Sequence, residues 1–520
     1  MARMARMADL ILAIDLGTTG STAVIVDRDG VVRGRSNLEF PQHFPQPGWV
    51  EHEPDEIWAS VMKSIALALE RAKAKGNDLA AIGITNQRET TLVWDRKTGQ
   101  PIQRAIVWQD RRTADRCTAL KARGLEDKER ARTGLVLDPY FSGTKIAYLL
   151  DTVSGARARA ERGELAFGTI ETYLVHRLSG HAAHVTDVTN ASRTLLLDLA
   201  NLAWDDEMSA MIGVPKSVLP RVVGCAEEVG HTRGVPGLPD GIPITGMAGD
   251  QQAALFGQAC FDVGDVKCTY GTGAFVLMNI GERPVPSKHG LLTTAGWKLK
   301  TKDTAATYAL EGSAFIAGAA VQWLRDGLHL IESAAEIEAL ARSVVDSGGV
   351  VFVPALVGLG APYWDAEARG LICGITRGTT SAHLARATLE AIAHQVSDLI
   401  EAMASDVGVG TIGGTANGAR LRMRVDGGAS ENGLLLELQA NYAGVRVERP
   451  RDVETTARGA AMLAALGVGL VPDLAALRRW SAPDLSVEPS SGGSGGSSLD
   501  AAAVALARKA WKKAVTRARG

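Results

Sequence analysis

The chain has 520 residues, of which 46% are hydrophobic and 22% are charged, and this composition excludes a globally disordered protein. Its 56 Lys and Arg residues nearly balance its 58 Asp and Glu residues, so the net charge of −2 gives no overall signature for binding nucleic acid or an anionic membrane. The five cysteines form no C-x-x-C pair, which argues against a disulfide framework or a cysteine zinc site. Because the chain has neither an apolar run long enough to cross a bilayer nor a signal-peptide pattern, it predicts a cytoplasmic enzyme that does not insert into a membrane.

The first predicted elements are short strands joined by turns. Residues 10–15 form an apolar run that ends in an acid, and a Gly/Thr turn leads from it to a second run at residues 22–26. Residues 56–75 have apolar side chains at helical spacing and stop at a glycine, and residues 79–85 are typical of a buried strand. This mixture of strands and helices predicts an α/β layered domain.

A similar unit occurs near the middle of the chain. Residues 242–249 form an apolar strand that ends just before Asp250, and residues 265–280 predict two strands around a turn that contains Thr272 and Gly273. A Gly/Thr hairpin therefore occurs near the start of each half. The sequence predicts two similar α/β domains that face a cleft, one spanning residues 1–256 and the other residues 257–520.

The remainder of the chain predicts helices and two glycine-rich connections. The helices span residues 313–330, 334–344, 381–404, 432–442 and 499–519, and the last of them is expected to dock on its own domain. Residues 407–418 predict a surface loop. Residues 490–498 are a Gly/Ser stretch typical of a flexible connection.

The turn after the first strand has the composition of a phosphate site. Gly17 allows backbone N–H groups to approach phosphate oxygens, and Thr18 and Thr19 add hydroxyl donors. Asp15, at the end of the strand, can hold Mg²⁺, usually through water. A tight turn stabilised by local Asp and Thr hydrogen bonds is the alternative interpretation.

Two other patterns carry less weight. The G-x-G-x-x-G pattern at Gly408, Gly410 and Gly413 lies in a loop without a βαβ unit around it, so it does not predict a dinucleotide site. His181 and His184 have metal-ligand spacing but lack a third ligand, so a structural or solvated role is favoured.

A carboxylate and an Arg–Glu pair stand at strand ends. Asp250 follows an apolar strand, where it could accept a proton from a substrate hydroxyl or, alternatively, cap the next helix. Arg88 and Glu89 are an adjacent donor and acceptor that could grip neighbouring hydroxyls of a polyol, or form an ordinary surface salt pair. Three aromatic residues with polar neighbours could line the same pocket or belong to the core: Trp108, Tyr140 and Phe275.

Several longer motifs, in the same order along the chain, resemble those of the glycerol kinases, which are FGGY carbohydrate kinases. They are DLGTT (15–19), GITNQRET (83–90), IVWQDRR (106–112), DPYFSGTK (138–145), GDQQA (249–253), YGTG (270–273), GLGAPYW (358–364) and DGGA (426–429). The resemblance covers residues 10–513 and implies two RNase-H-like domains of the actin–hexokinase type. It also implies ATP- and Mg²⁺-dependent phosphorylation of glycerol to sn-glycerol 3-phosphate, the first step of glycerol catabolism, by a homo-oligomer (dimer or tetramer).

The resemblance further implies a set of site residues. Asp250 is expected to be the catalytic base. The glycerol pocket is expected to contain Arg88, Glu89, Trp108, Tyr140, Asp250, Gln251 and Phe275. The ATP site is expected to contain Thr18, Thr19, Gly20, Thr272 and Gly273 in the two hairpins, with Gly318, Gln322, Gly428, Ala429 and Asn432 on the nucleotide side.

The chain departs from the family pattern in several places: Leu16 and Gly20 replace Gln and Ser, the loop at residues 408–417 is longer, and the Gly/Ser segment at residues 490–498 differs from the family's terminal region. Thr22 stands where many glycerol kinases have an arginine that could bind phosphate. Some bacterial glycerol kinases are inhibited by fructose 1,6-bisphosphate, which binds a loop before the catalytic strand. Here that loop carries Gly241 in place of an arginine, next to Asp240, so little inhibition is predicted.

Two alternative functions differ in class. A kinase of another polyol or sugar would share the hairpins, although the NQRET and VWQDRR motifs favour glycerol. An actin-like nucleotide-driven binding or chaperone module would share the hairpins but would need no small aromatic-lined pocket.

Overall fold

The computed structural model describes residues 8–302, 305–408, 415–416, 419–452, 454–490 and 500–520. Most of the predicted loop at residues 407–418 lies outside the described residues, with Gly410 and Gly413 of the G-x-G-x-x-G pattern. The predicted Gly/Ser connection at residues 490–498 lies outside them from residue 491 onward.

The first half of the chain alternates strands with helices. Its strands are β1 (Leu10–Leu16), β2 (Gly20–Asp27), β3 (Val32–Glu39), β4 (Glu51–His52), β5 (Leu79–Asn86), β6 (Leu92–Asp95), β7 (Ala105–Ile106), β8 (Leu165–Gly168), β9 (Val185–Asp187), β10 (Leu197–Asp198), β11 (Ala203–Trp204), β12 (Arg221–Val223), β13 (Gly230–His231) and β14 (Pro243–Gly249). Its helices are α1 (Pro54–Ala72), α2 (Ala114–Ala122), α3 (Glu126–Thr133), α4 (Ser142–Thr152), α5 (Ala156–Glu161), α6 (Ile170–Leu178), α7 (Val188–Ala191), α8 (Asp206–Ile212) and α9 (Asp250–Gly257).

The second half has the same character. Its strands are β15 (Val266–Tyr270), β16 (Ala274–Gly281), β17 (Leu292–Trp297), β18 (Thr307–Ala314), β19 (Val351–Val353), β20 (Leu371–Cys373), β21 (Thr415–Ala416), β22 (Ala419–Arg420), β23 (Arg422–Asp426), β24 (Arg446–Pro450) and β25 (Pro483–Val487). Its helices are α10 (Gly318–Asp326), α11 (Glu336–Arg342), α12 (Ser381–Val407), α13 (Gly433–Ala443), α14 (Thr455–Gly467), α15 (Leu474–Leu477) and α16 (Ala501–Ala518).

The central sheet of the first half has the strand order β13-β14-β5-β1-β2-β3. β1, β5 and β14 run parallel, whereas β1 and β2 form an antiparallel hairpin. Helix α1 covers β2 and β3 because Ile57, Val61 and Ile65 recur at four-residue spacing and form its buried face. The strands predicted at residues 10–15, 22–26 and 79–85 are therefore confirmed, each with small extensions.

The central sheet of the second half has the order β17-β18-β16-β15-β23-β24-β25. One predicted element here is wrong: residues 313–330 do not form one helix. Ser313 belongs to β18, where it pairs with Phe275 of β16, and α10 begins only at Gly318. The apolar stretch around residue 315 suits either structure, and cross-strand pairing decides in favour of a strand up to Ala314.

The two sheets share a five-strand core, and the second sheet has one more antiparallel strand, β17, outside β18. In both, an antiparallel hairpin (β1–β2 or β15–β16) is extended by an antiparallel strand on one side and by two parallel strands on the other. Helices α9 and α14 follow the last parallel strand of each sheet and pack against each other. A methyl group on Gly257 or Gly459 would overlap the backbone of the opposite helix, so these glycines allow the close approach. The predicted α/β fold with two similar units is confirmed, and the bounds 1–256 and 257–520 stay a prediction.

The C-terminal helix α16 docks on the second half, as predicted. Trp511 is fully buried and donates its indole N–H to Asp398 at 2.6 Å, and Arg508 pairs with the same carboxylate at 2.6 Å. In the described part of the chain, neither α16 nor another helix combines the length and apolar character that crossing a membrane requires.

Candidate active site

Three parallel strands of the first sheet end in one row. The strand register places Leu16 of β1, Asn86 of β5 and Gly249 of β14 side by side. The residues that follow these three positions therefore project from the same edge of the sheet, where α/β proteins bind ligands. They include the β1–β2 turn, Arg88 and Asp250.

Arg88 is buried beside the strand-end carboxylate. Its Nε lies 3.2 Å from Oδ1 of Asp250, and its Nη2 donates to the hydroxyl of Tyr140 at 3.3 Å. The Asp250 side chain keeps 30% of its surface exposed, whereas that of Arg88 keeps 2%. Arg88 is thus buried beneath the strand ends, while the Asp250 side chain beside it stays partly exposed.

A ring of buried charges supports this pocket. Glu311 accepts from Nη1 and Nη2 of Arg88 at 2.6 and 3.1 Å and from Nη2 of Arg193 at 3.0 Å, and Arg193 Nε donates to Glu89 at 2.6 Å. Burial alone would raise the pKa of Glu311, but the charges of Arg193 and Arg88 outweigh it and hold that pKa at about 2. Glu311 therefore stays ionised over the physiological pH range.

Glu89 occupies an unusual backbone conformation at the turn after β5. Its φ is +62°, in the left-handed region that a non-glycine residue rarely adopts. Burial raises the pKa of Glu89, and the neighbouring Arg88 and Arg193 oppose that rise. The turn thus holds a carboxylate in place beside Arg88 in a water-poor environment.

Two of the predicted aromatic side chains contact each other beside Arg88. Trp108 and Tyr140 make an edge-to-face contact with ring centroids 5.7 Å apart, and Tyr140 also accepts from Arg88. Phe275 is half-buried on β16 of the second sheet, where it pairs with Ser313. The predicted pocket residues that contact one another directly or through one neighbour are Arg88, Glu89, Trp108, Tyr140, Asp250 and Gln251.

The β1–β2 turn lies against the aromatic wall. The hydroxyl of Thr18 accepts from the indole N–H of Trp108 at 3.0 Å and keeps its own proton to donate, while Thr19 is exposed. A methyl group on Gly20 would lie 2.7 Å from the carbonyl oxygen of Leu38, so this position requires glycine. The turn can therefore present hydroxyl donors to an anion beside the pocket.

Asp15 lies close to two other carboxylates. Burial, followed by the charges of Asp250 and Glu454, raises the pKa of Asp15 to about 8, and Arg35 offsets this only in part. A divalent cation would stabilise the ionised form, so the site fits a metal ion. Among the described residues, no group of three or more His, Cys, Asp or Glu side chains could hold a metal unaided. The site thus suits Mg²⁺ that takes its remaining ligands from phosphate and water.

The β15–β16 turn is fixed against the start of α10. The carbonyl of Gly271 accepts from the N–H of Gly318 at 3.0 Å, and the carbonyl of Thr272 accepts from that of Ala317 at 2.8 Å. Gln322 lies exposed one turn farther along α10. The second hairpin and this helix therefore form one rigid unit.

The loop after β23 completes the second sheet's edge. Gly428 is exposed, and a methyl group there would meet no atom within 4 Å. Ala429 is half-buried, and the side-chain oxygen of Asn432 caps α13 by accepting from the N–H of Leu435 at 2.9 Å. The Asn432 side-chain N–H₂ group can still donate to a ligand.

Some buried polar residues near the site lie outside the predicted set, notably Arg193, Glu311, Lys267 and Thr189. Lys267 of β15 donates from Nζ to Oε1 of Gln251, and burial lowers the pKa of Lys267. Thr189 Oγ1 accepts from the N–H of Gly249 at 2.8 Å and so fixes the peptide before Asp250. The sequence could have indicated Lys267, because a lysine within the strand VKCTY is expected to be buried and a buried charge needs a partner.

Comparisons with known proteins agree with this architecture. Residues 10–257 match the N-terminal domain of the FGGY family of carbohydrate kinases, and residues 266–468 match its C-terminal domain. The glycerol kinase of Myxococcus xanthus is 57% identical to this chain, over 98% of this chain and 99% of its own length. The glycerol kinase of Deinococcus radiodurans is 54% identical, over 98% of this chain and 97% of its own length. The crystal structure of Plasmodium falciparum glycerol kinase with ADP superposes with a TM-score of 0.90 at 34% identity over 98% of both chains. A gluconate kinase from Lactobacillus acidophilus, at 22% identity and a TM-score of 0.83, shares the fold.

The two matched sheets and the strand-end carboxylate define a two-domain α/β kinase. The chain belongs to the FGGY family of carbohydrate kinases.

Proposed function

We propose that the protein transfers the γ-phosphoryl group of ATP to a terminal hydroxyl of glycerol, giving sn-glycerol 3-phosphate and ADP. The observation that carries the proposal is the pocket of Arg88, Asp250 and Tyr140, in a chain that is more than half identical to glycerol kinases. Such a pocket offers charged partners for a small polyol and an accessible carboxylate beside them.

Glycerol binding would use both charged and aromatic side chains of the pocket. Arg88 and Glu89 pair with neighbouring hydroxyls, while Trp108, Tyr140 and Phe275 cover the C–H face of the triol. Because Arg88 and Glu89 are held by buried partners, little side-chain entropy is lost when the substrate binds. Gln251, adjacent to Asp250 and held by Lys267, is a further candidate contact.

Asp250 would act as the general base. Its Oδ1 contacts the N–H of Gln251 at 2.7 Å and lies 3.2 Å from Arg88 Nε, so the carboxylate is oriented and Oδ2 can face the substrate. The glycerol hydroxyl gives its proton to Asp250 as its oxygen forms a bond to the γ-phosphorus. The bond from that phosphorus to the β,γ-bridging oxygen breaks, and ADP leaves with the bond's electron pair.

ATP would lie between the two hairpins. Thr18, Thr19 and Gly20 on one side and Thr272 and Gly273 on the other offer N–H and hydroxyl donors to the phosphates. On the nucleotide side the candidates are Gly318, Gln322, Gly428, Ala429 and Asn432.

Asp15 would hold Mg²⁺ together with the phosphate oxygens. A bound Mg²⁺ supplies positive charge that balances the charge on the transferring phosphoryl group. The raised pKa of Asp15 fits this assignment, since burial and the charges of Asp250 and Glu454 disfavour its ionised form and a bound cation would favour it.

The proposal extends to the molecule as a whole. We assign residues 1–256 to the domain that carries the glycerol pocket and residues 257–520 to the domain that carries most of the nucleotide site. We further propose a cytoplasmic homo-oligomer, either a dimer or a tetramer, which light scattering of the purified protein would test.

The test is a coupled assay of ADP release with ATP and Mg²⁺, run with glycerol, xylulose, gluconate and no added acceptor. Glycerol-dependent release with a kcat/KM at least about tenfold above that for the other acceptors is expected, since hydroxyl-matched sites discriminate strongly. Preferential turnover of xylulose or gluconate would contradict the proposed substrate. Acceptor-independent release alone would indicate an actin-like nucleotide-driven module.

A further inference from the structure

Glu311 is a buried carboxylate in the middle of an otherwise apolar strand. It lies in β18 (TYALEGSA), where its neighbours across the sheet are Leu277 of β16 and Leu292 of β17. Only 2% of its side chain is exposed. Such a carboxylate is costly unless it is paired and hydrogen-bonded, so its partners identify its role.

Both arginine partners of Glu311 come from the other half of the chain. Arg88 lies 223 residues before it and Arg193 lies 118 residues before it. Arg88 contacts Glu311 through both terminal nitrogens in a bidentate pair, which fixes the plane of the guanidinium group. The second sheet therefore orients the two guanidinium groups behind the polyol pocket of the first half.

We propose that Glu311 is a positioning residue for the polyol pocket. It fixes Arg88 so that Nε faces Asp250, and it fixes Arg193 so that Nε holds Glu89. The shape of the pocket in the first half thus depends on how the second sheet is seated against it. This inference rests on the proposed phosphorylation of a polyol in that pocket.

The nitrogen contacts of Arg88 show what the loss of Glu311 would do. Nη1 also donates to Gln252 at 3.2 Å and Nη2 also donates to Tyr140, both of which are neutral acceptors. Nε already pairs with Asp250 at 3.2 Å, so without Glu311 this contact would be the remaining short ion pair of the guanidinium. The guanidinium would then turn about Nε, and Arg88 would lose the orientation that the substrate hydroxyls require.

The test compares Glu311→Gln and Glu311→Asp with the wild type, using the polyol that the wild type phosphorylates. We expect kcat/KM for the polyol to fall about 10²-fold in Glu311→Gln, the cost of a small misplacement of catalytic groups, while the KM for ATP stays unchanged. Glu311→Asp keeps the charge on a shorter arm and should recover part of the loss. Unchanged polyol kinetics in Glu311→Gln would overturn the proposal.

A matched control separates positioning from general stability. Glu448 of β24 is buried in the same sheet and lies 3.2 Å from Arg424, away from the polyol pocket. Glu448→Gln should lower the melting temperature and leave both KM values unchanged. If Glu448→Gln reduced polyol kcat/KM as much as Glu311→Gln, the effect would be one of stability and the proposal would fail.

Arg193→Lys is a second variant, which serves if Glu311→Gln does not fold. Lysine keeps the charge but lacks the fork that reaches Glu89 and Glu311 together, so we expect a raised polyol KM and an unchanged ATP KM. Wild-type values in this variant would contradict the proposal. Turnover of a polyol other than glycerol by the wild type would overturn the proposed substrate, while the Glu311 variants would still be tested with that polyol.

Discussion

The two central sheets share a five-strand core but place different chemistry at their edges. The first sheet ends in charged side chains, with Asp15, Arg88 and Asp250 at or just after the ends of aligned strands. The second sheet contributes mainly a backbone turn and sends Lys267 and Glu311 back towards the first half. In the proposed function, the first sheet supplies the reacting groups and the second sheet supplies their alignment.

The largest expected effect comes from Asp250, the carboxylate that follows β14 of the first sheet. Asp250→Asn should lower kcat by at least about 10²-fold, because an amide keeps the shape but cannot accept the proton. Steady-state ADP release measures kcat, and the melting temperature shows whether the fold is intact. A folded variant with near-normal turnover would remove Asp250 from the mechanism. It would also weaken the inference that the first sheet supplies the reacting groups.

Arg88 is expected to act on one substrate rather than on both. Arg88→Ala should raise the KM for glycerol by about 10-fold or more, the scale of a lost charged hydrogen bond, and leave the KM for ATP much less affected. Both constants come from the same assay with one substrate varied at a time. A raised KM for ATP with an unchanged KM for glycerol would place Arg88 at the nucleotide instead.

The hairpins permit a direct comparison of the two sheets. An added methyl group would lie 2.7 Å from Leu38 in Gly20→Ala and 2.5 Å from Ala314 in Gly273→Ala, so each should distort its turn and raise the KM for ATP about tenfold, or about 1.4 kcal/mol. Gly428→Ala meets no protein atom and should leave the melting temperature unchanged. If it raised the KM for ATP without loss of stability, a nucleotide contact at Gly428 would be supported. An effect confined to one hairpin would show that ATP is held by a single sheet.

Asp15 should make the stability of the ligand-free protein depend on pH. Its pKa in the folded state is about 8, above the ordinary aspartate value of 3.8 that applies to the unfolded chain, so the unfolded state loses the proton first as pH rises. Stability is therefore lost between about pH 4 and pH 8. Asp15→Asn lacks this loss, and its melting temperature relative to the wild type should increase from pH 5 to pH 8. A difference that does not change with pH would contradict the raised pKa.

The sequence predicted the elements that are determined by residues close together in the chain. The strand–turn–strand pattern and the strand-end position of Asp250 depend on neighbouring residues, and the structure has both. The ring of Arg193 and Glu311 could not be predicted in this way, because the pairing joins residues 118 positions apart and depends on how the two halves pack. The helix predicted from residue 313 failed for a related reason, since the pairing of β18 with β16 and β17 overrides local propensity.

The smallest expected effect concerns the loop before β14, which joins the edge strand β13 to the rest of the first sheet. Asp240 accepts from the N–H of Gly234 at 2.7 Å, so its carboxylate occupies a donor that a phosphate would need. The carbonyl of Pro239 accepts from Thr232 at 2.7 Å, which further fixes the loop. The negative charge of Asp240 also repels a phosphate group. Fructose 1,6-bisphosphate at millimolar concentration should therefore cause little inhibition. Titration of glycerol-dependent ADP release at fixed Mg²⁺ measures this, and saturable inhibition at micromolar concentration would show that the loop binds the bisphosphate after all.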